Sequence, residues 1–358
     1  MLSYILNKLI YAILTLFGVI TVIFILFTVL PGDPARMMLD QNENSEQLAA
    51  IQKKYGFDKP VSIQYLYYLN DLSPFSFHSK EKDDYTYLAK GKYNAVEVLE
   101  FSNTVFVLKT PYLRESFQKN GKKVTRIIAE TLPNTFVLAV AAIFIAMING
   151  VILGVLSALY KDSWIDKFIQ VISTLGMSIP SFFSAILFAW FFGFLLHKYT
   201  HLNMTGSLYE VDDFGEAIHI QWKNLILPAV VLGIRPLAVV IQLMRNSLLE
   251  VLNQDYIRTA RAKGLNEFQV IVKHALKNAL NPVITALSGW FASMLAGAVF
   301  VEYIFGWNGL GKEIVNALNT LDLPVIMGSV IIIAFMFILI NIFVDIIYGW
   351  LDPKISIK

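Results

Sequence analysis

Six long apolar stretches limit what this chain can fold into. A helix needs on the order of 20 apolar residues to cross about 30 Å of hydrocarbon. Leu9 to Leu30, Asn134 to Tyr160, Phe168 to Leu196, Leu225 to Leu249, Val283 to Phe305 and Val325 to Trp350 each supply them. With 56% of its 358 residues hydrophobic and 16% charged, the chain has too little charge to clothe a water-facing surface of that size. The expected fold is therefore all-α and membrane-integral, with six transmembrane helices. The first stretch is too long for the apolar region of a signal peptide, and Pro31-Gly32-Asp33-Pro34 lacks an A-x-A cleavage pattern. It reads as a retained span.

Charge and residue chemistry close off several functions. A net charge of +2 is too small an excess for a phosphate-binding surface, so nucleic acid is not an expected partner. There is no cysteine, which removes disulfides, thiolate catalysis and Cys-ligated zinc. The five histidines, His78, His197, His201, His219 and His274, form no HExxH, and the i,i+4 pair His197 and His201 has no carboxylate nearby to complete a metal site. The run from Gly306 to Glu313 matches G-x-x-x-x-G-K but ends in Glu, where a P-loop needs a Ser or Thr hydroxyl for magnesium. It reads as a tight outer turn between spans five and six, so no ATP site and no cofactor is expected in this chain. A membrane-embedded hydrolase lacks its paired nucleophile and base.

Lysines and arginines in short loops mark the cytoplasmic side. Arg245, Arg258, Arg261, Lys263, Lys273 and Lys277 crowd the connection between spans four and five. Lys161 and Lys167 lie between spans two and three, and Lys354 and Lys358 follow the last, all on one side if the spans alternate. Both termini are thus expected to be cytoplasmic. Residues 31–133 fall outside, mixing charge with aromatics such as Tyr65, Tyr67, Phe75 and Tyr85, which favours a small folded cap over a disordered strand. From Val124, Ile127, Ile128 and Leu132 recur at helical spacing opposite Lys122, Lys123, Arg126 and Glu130, the pattern of a short interfacial helix.

The basic connection from Asp255 to Pro282 carries more than topology. Asp255-Tyr-Ile-Arg-Thr-Ala-Arg-Ala-Lys-Gly264 reads as a helix with Asp255 as N-cap, stopped at Gly264, the residue best able to take the left-handed conformation. A second helix starts at once, with Asn266 and Gln269 placed as a capping box and Leu265 and Val270 as a hydrophobic staple. Tyr256, Ile257 and Ala260 offer an apolar side, Arg258, Arg261 and Lys263 a charged one. A loop needed only for orientation has no use for two helices set at a defined angle, whereas a helix-in-groove contact with a soluble partner explains both.

This loop, with His274-Ala-Leu-Lys-Asn-Ala-Leu280 after it, resembles that of the dipeptide and oligopeptide permease family of ABC importers. Leu30-Pro-Gly-Asp-Pro34, Leu132-Pro-Asn-Thr135, Ser163-Trp-Ile-Asp166, Ser178-Ile-Pro-Ser-Phe182, Val301-Glu-Tyr-Ile-Phe305, Gly309-Leu-Gly311 and Asp352-Pro353 are similar to family positions in the same order, so the resemblance covers nearly the whole chain. Arg258-Thr259-Ala260 stands where the broader permease loop has Glu-Ala-Ala, as in the peptide branch.

The resemblance implies a type I importer transmembrane domain. Residues 1–30 would form the N-terminal helix, 31–133 an extracytoplasmic segment with an insertion near 71–112 and the interfacial helix, and 134–353 the permease core, within which 250–282 is the cytoplasmic coupling loop. It also implies a homologous second permease, two ATPase subunits that bind the ATP and magnesium, an extracytoplasmic solute-binding protein and the inner membrane of a bacterium. Asp255, Tyr256, Ile257, Arg258, Thr259, Ala260, Arg261, Ala262, Lys263, Gly264, Leu265 and His274 would then couple to the ATPases. Peptides are the expected substrate, with nickel or another small solute as the alternative.

Charges within spans are candidates for function because they are expensive there. Arg235 sits deep in the fourth stretch before Pro236, while Glu302 and Asp345 lie near span ends, where water is within reach. Where the family often has two arginines three apart, this chain has Gln242 and Arg245. Arg235, Gln242, Arg245 and Glu302 are therefore the candidates for a translocation path. Few carboxylates lie mid-span, which disfavours the remaining alternative, an ion-coupled secondary transporter.

Overall fold

Backbone polar groups have no water to bond in hydrocarbon, so long apolar stretches fold as helices. A computed structural model describes residues 2–29, 35–36, 45–89, 91–119, 121–211 and 218–351. The motifs Leu30–Pro34 and Asp352–Pro353, with Lys354 and Lys358, lie outside the described residues. Among the described residues four helices are each long and apolar enough to cross a membrane: α1 (Leu2–Val29), α4 (Val124–Leu159), α8 (Lys223–Leu252) and α15 (Leu323–Leu351). Two further stretches are bent pairs, giving six crossings if each pair is one span.

Between α1 and α4 stand α2 (Ser45–Tyr55), α3 (Val61–Leu72) and an antiparallel sheet of β1 (Phe75–Ser79), β2 (Ala95–Glu100) and β3 (Thr104–Lys109) in the order β1-β3-β2. After α4 come α5 (Trp164–Ser178), α6 (Ser181–Phe188), a π-helical turn (Ala189–Leu195), α7 (His197–Thr200) and a hairpin of β4 (Tyr209–Val211) with β5 (Ile218–Ile220). Beyond α8 follow α9 (Asp255–Ala262), α10 (Glu267–Gln269), a second π-helical turn (Val270–Ala275), α11 (Leu276–Ala279), α12 (Asn281–Gly297), α13 (Val299–Phe305) and α14 (Leu310–Asn319).

Three expectations change. The third apolar stretch is not one straight helix: α5 and the Ser181–Leu195 segment meet at 110°. Pro180 has no N–H to continue the ladder and holds Ile179 extended, at φ −81° and ψ 130°. Each arm has 15 residues, about 22 Å of helix, short of a 30 Å crossing. The separate interfacial helix is also absent, because Val124 begins the 36-residue α4, which runs through Pro133. Finally, the outer turn between spans five and six carries the ten-residue α14 as well.

The chain divides into two units. The first comprises Met1–Lys8, Thr131–Val315 and Phe335–Lys358. Here α4 lies close on α8: a Cβ on Gly150 would meet Val240 Cγ1 at 2.5 Å, and one on Gly154 would meet Met244 Cβ at 2.6 Å. Glycine at these places lets two helices approach within packing distance. α5 is tied to α8 by Ser173 Oγ, which donates to Ala238 O at 3.0 Å.

The second unit comprises Leu9–Glu130 and Asn316–Ala334. Its sheet lies inside the 71–112 insertion and buries one face only. Ser76, His78, Val105, Val107 and Lys109 point inward, as period-2 alternation requires. Beneath them the buried Asp71 accepts from Tyr85 Oη at 2.7 Å, Tyr93 Oη at 3.1 Å and Arg114 Nε at 3.0 Å. The Lys109 amine donates to the Asp71 carbonyl, and burial lowers its pKa to about 8. A mixed cap is thus built around one carboxylate.

Candidate functional site

The α9 to α11 loop is held from inside. Ile257 and Ala260 are buried in a cluster with Val240, Met244, Leu248, Val270 and Ala275. This corrects the expectation that Ile257 and Ala260 present an apolar face to a partner: they anchor α9 to the chain's own core. Burying a residue such as Ile257 is worth about 1.5–3 kcal/mol, so α9 is fastened rather than free. What α9 exposes is Asp255, Tyr256, Arg258, Thr259, Arg261 and Ala262, and Lys263 just after it is exposed too.

Asp255 is not the N-cap. Gln254 occupies that place without a side-chain cap bond, and Asp255, one residue on, accepts from Arg258 Nη1 at 3.4 Å. Gly264 takes φ +80°, and a Cβ there would meet nothing within 4 Å, so backbone conformation, not crowding, demands glycine. Asn266 then caps the next helix, its Oδ1 accepting from Gln269 N at 2.9 Å, while Leu265 and Val270 join the same cluster. Arg261 reaches across the turn to Glu267, Nε to Oε1 at 2.9 Å and Nη2 to Oε2 at 3.2 Å. The second helix loosens into a π-helical turn at Val270–Ala275, with His274 exposed on it. Phe268, next to Glu267 in sequence, is 75% exposed, a large apolar side chain that the charge pattern alone did not single out.

The four path candidates separate. Arg235 is exposed and lines a cavity of about 200 Å³ with Ser181, Ser184, Trp290 and Ser293. Gln242 is half-buried on the same helix, Nε2 at 3.6 Å from Met177 Sδ. Arg245 is committed elsewhere, holding Asp166 through two nitrogens at 2.8 and 2.7 Å.

Glu302 is wholly buried rather than in reach of water: its Oε2 accepts from Gly311 N at 2.7 Å and Lys312 N at 3.2 Å, across the turn at Gly306. That turn is further secured by Trp307 Nε1 donating to Asn134 O at 3.1 Å and by Leu310 N donating to Thr135 Oγ1 at 2.8 Å. Glu302 is therefore a structural clasp. Asp345 pairs with Lys8. Among the described residues no group of three metal-ligating side chains occurs, and His197 uses Nδ1 on Leu202 O at 2.6 Å.

Two family models match. The binding-protein-dependent transport system inner membrane component model covers residues 150–357, and the N-terminal model of the same systems covers residues 1–76. The chain is 34% identical to the dipeptide transport system permease protein of Bacillus subtilis over 347 residues, covering 96% of this chain and 94% of that one. It is 33% identical to the dipeptide transport system permease protein of Alkalihalophilus pseudofirmus over 369 residues, covering 99% and 100%. A di/tripeptide transport system permease protein of Pseudomonas aeruginosa is 33% identical over 370 residues, with 99% of each chain covered.

Proposed function

The chain belongs to the family of binding-protein-dependent transport system inner membrane components, a family of transport subunits rather than enzymes, and from that premise we propose that it imports di- or oligopeptides as one half of an ATP-driven permease. It sits in the inner membrane of a bacterium with both termini cytoplasmic, beside a homologous second permease. Two ATPase subunits bind ATP and magnesium on the cytoplasmic side, and a solute-binding protein delivers substrate outside.

The observation that carries this reading is the loop anchored by Ile257 and Ala260 yet exposing Arg258, Arg261, Lys263 and Phe268 on either side of Gly264. A helix fastened to its own membrane core on one side and bare on the other transmits a push. ATPases closing on ATP move α9, and the core anchored through α8 follows from inward- to outward-facing. Hydrolysis separates them and resets the helices. Arg235, exposed on α8 beside three serines, supplies a cation for the carboxylate of a passing peptide.

The cap docks the binding protein. Its sheet turns Phe75, Phe77, Val96, Leu99 and Leu108 outward, each at least 46% exposed, and cross-strand register sets Phe75 and Val96 on either side of Leu108. An apolar patch of this kind marks an interaction surface.

Proteoliposomes holding the purified assembly test the central claim. Uptake of a labelled dipeptide is expected to need ATP inside and the binding protein outside. Uptake driven by an ion gradient without ATPase subunits would overturn it.

A further inference from the structure

The second unit holds a cavity of about 320 Å³. Its walls come from two helices apolar enough to cross a membrane and from the cap. Phe24 and Phe27 of α1 form one side, Pro324 and Met327 of α15 another, and Tyr68 and Arg114 stand at the cap. The volume falls at the lower end of the roughly 300–1,000 Å³ of small-molecule sites, and the mix of an apolar wall with a few polar groups is theirs too.

Two of its polar groups, Tyr68 and Arg114, are underused. Tyr68 is 3% exposed and its Oη is buried with no hydrogen-bond partner, whereas buried hydroxyls nearly always have one. Arg114 lies over the Tyr68 ring at 5.1 Å and gives Nε to Asp71; among the described residues neither Nη1 nor Nη2 has a hydrogen-bond acceptor. A donor hydroxyl and a guanidinium edge at one end of an apolar slot call for a ligand with a long apolar body and an oxygen-rich head. On α1 the exposed Ile25 and Leu26 flank the wall residues, so apolar surface continues from the cavity to the outside of a spanning helix. A tail can enter from the bilayer without crossing polar ground.

We propose that this cavity binds one acyl chain of a membrane phospholipid, its tail against Phe24, Phe27 and Met327 and its ester or phosphate oxygens on Tyr68 Oη and Arg114. The lipid completes the hydrogen bonding of Tyr68 and ties the cap to the bilayer.

The test uses the full chain in nanodiscs of phosphatidylethanolamine and phosphatidylglycerol, doped with a phosphatidylethanolamine carrying a diazirine in mid-chain. After irradiation and peptide mapping, label is expected on Phe24, Phe27 and Met327. Met327→Trp fills the slot and lowers that labelling about tenfold, a 1.4 kcal/mol change. Tyr68→Phe keeps the shape and removes one hydrogen bond, so lipid retained through native mass spectrometry falls about fivefold. Label spread evenly over Ile25, Leu26 and the rest of α1, or unchanged in Met327→Trp, would reduce the contact to ordinary boundary lipid and overturn the proposal. Retention unaffected by Tyr68→Phe would do the same. Displacement of the label by a soluble dipeptide but not by unlabelled phospholipid would give the cavity to substrate instead. None of these outcomes depends on transport.

Discussion

Arg245 near the end of α8 holds Asp166 at the start of α5 through two parallel bonds, Nε to Oδ1 at 2.8 Å and Nη2 to Oδ2 at 2.7 Å. The carboxylate is completed by Ser157 Oγ at 2.5 Å and the Asp162 amide at 3.0 Å, so α4, α5 and α8 meet on it. The pair is mostly buried, with side chains 19% and 4% exposed. Removing one member leaves the other charge stranded at a cost of about 3–5 kcal/mol. Asp166→Ala is therefore expected to lower the unfolding temperature of the purified full chain sharply. The double variant Asp166→Ala with Arg245→Ala should recover part of the loss, and additive losses would show that the two do not act as a pair.

Gly264 separates backbone geometry from side-chain size. With φ at +80° and open space around it, Gly264→Val is strained by its branch and Gly264→Asn is tolerated. Gly264→Val and Gly264→Pro should insert normally and lose most ATP-driven uptake, while Gly264→Asn keeps it. Equal uptake in all three would remove the pivot from the mechanism. The exposed faces on either side then become docking surface alone.

What could be read from the sequence was local. Apolar length located α1, α4, α8 and α15, and the ease with which glycine takes a positive φ located the turn at Gly264. Asn266 capped its helix as its spacing required. Orientation of a face was not local. Periodicity reveals that Ile257 and Ala260 share a side but not whether that side meets the chain's own core or a partner. The same holds for charges: Asp166 and Arg245 are 79 residues apart, and Glu302 lies near a span end yet is roofed by amides that return after the turn at Gly306. Tyr68 carried no sequence signal, because a missing hydrogen bond exists only in three dimensions.

His78 gives the cap a dependence on acid. Its ring is wholly buried, Nδ1 donating to Thr86 O at 2.8 Å and Nε2 accepting from Ser76 Oγ at 3.0 Å, and burial lowers its pKa below the ordinary value. The unfolded segment takes up a proton near pH 6.5 before the folded one does. Stability is thus intact above that pH and falls as the pH drops through it. Hydrogen exchange at Phe75–Ser79 in the full chain is expected to speed up between pH 7.5 and pH 5, after correction for intrinsic rates, and His78→Gln should flatten that trend. A slope surviving the substitution would place the titrating group elsewhere in the cap.

The outward face of the sheet offers the last test, because its residues can be changed without touching the core. Phe77 pairs with Phe106 and Phe75 with Leu108 in register, while Ser76 and His78 between them hold the buried side. Exposed substitutions away from caps and charges usually shift stability by no more than about 0.5 kcal/mol. Phe77→Ser with Leu108→Ser should therefore leave the unfolding temperature nearly unchanged. If the face docks the binding protein, losing two anchors weakens capture of that protein by the immobilised assembly at least tenfold, since interface anchors are each worth more than about 1 kcal/mol. ATP-driven uptake falls with it, and raising the binding-protein concentration restores it. Unchanged capture would show that the patch serves another contact, leaving the pivot at Gly264 and the pair at Arg245 unaffected.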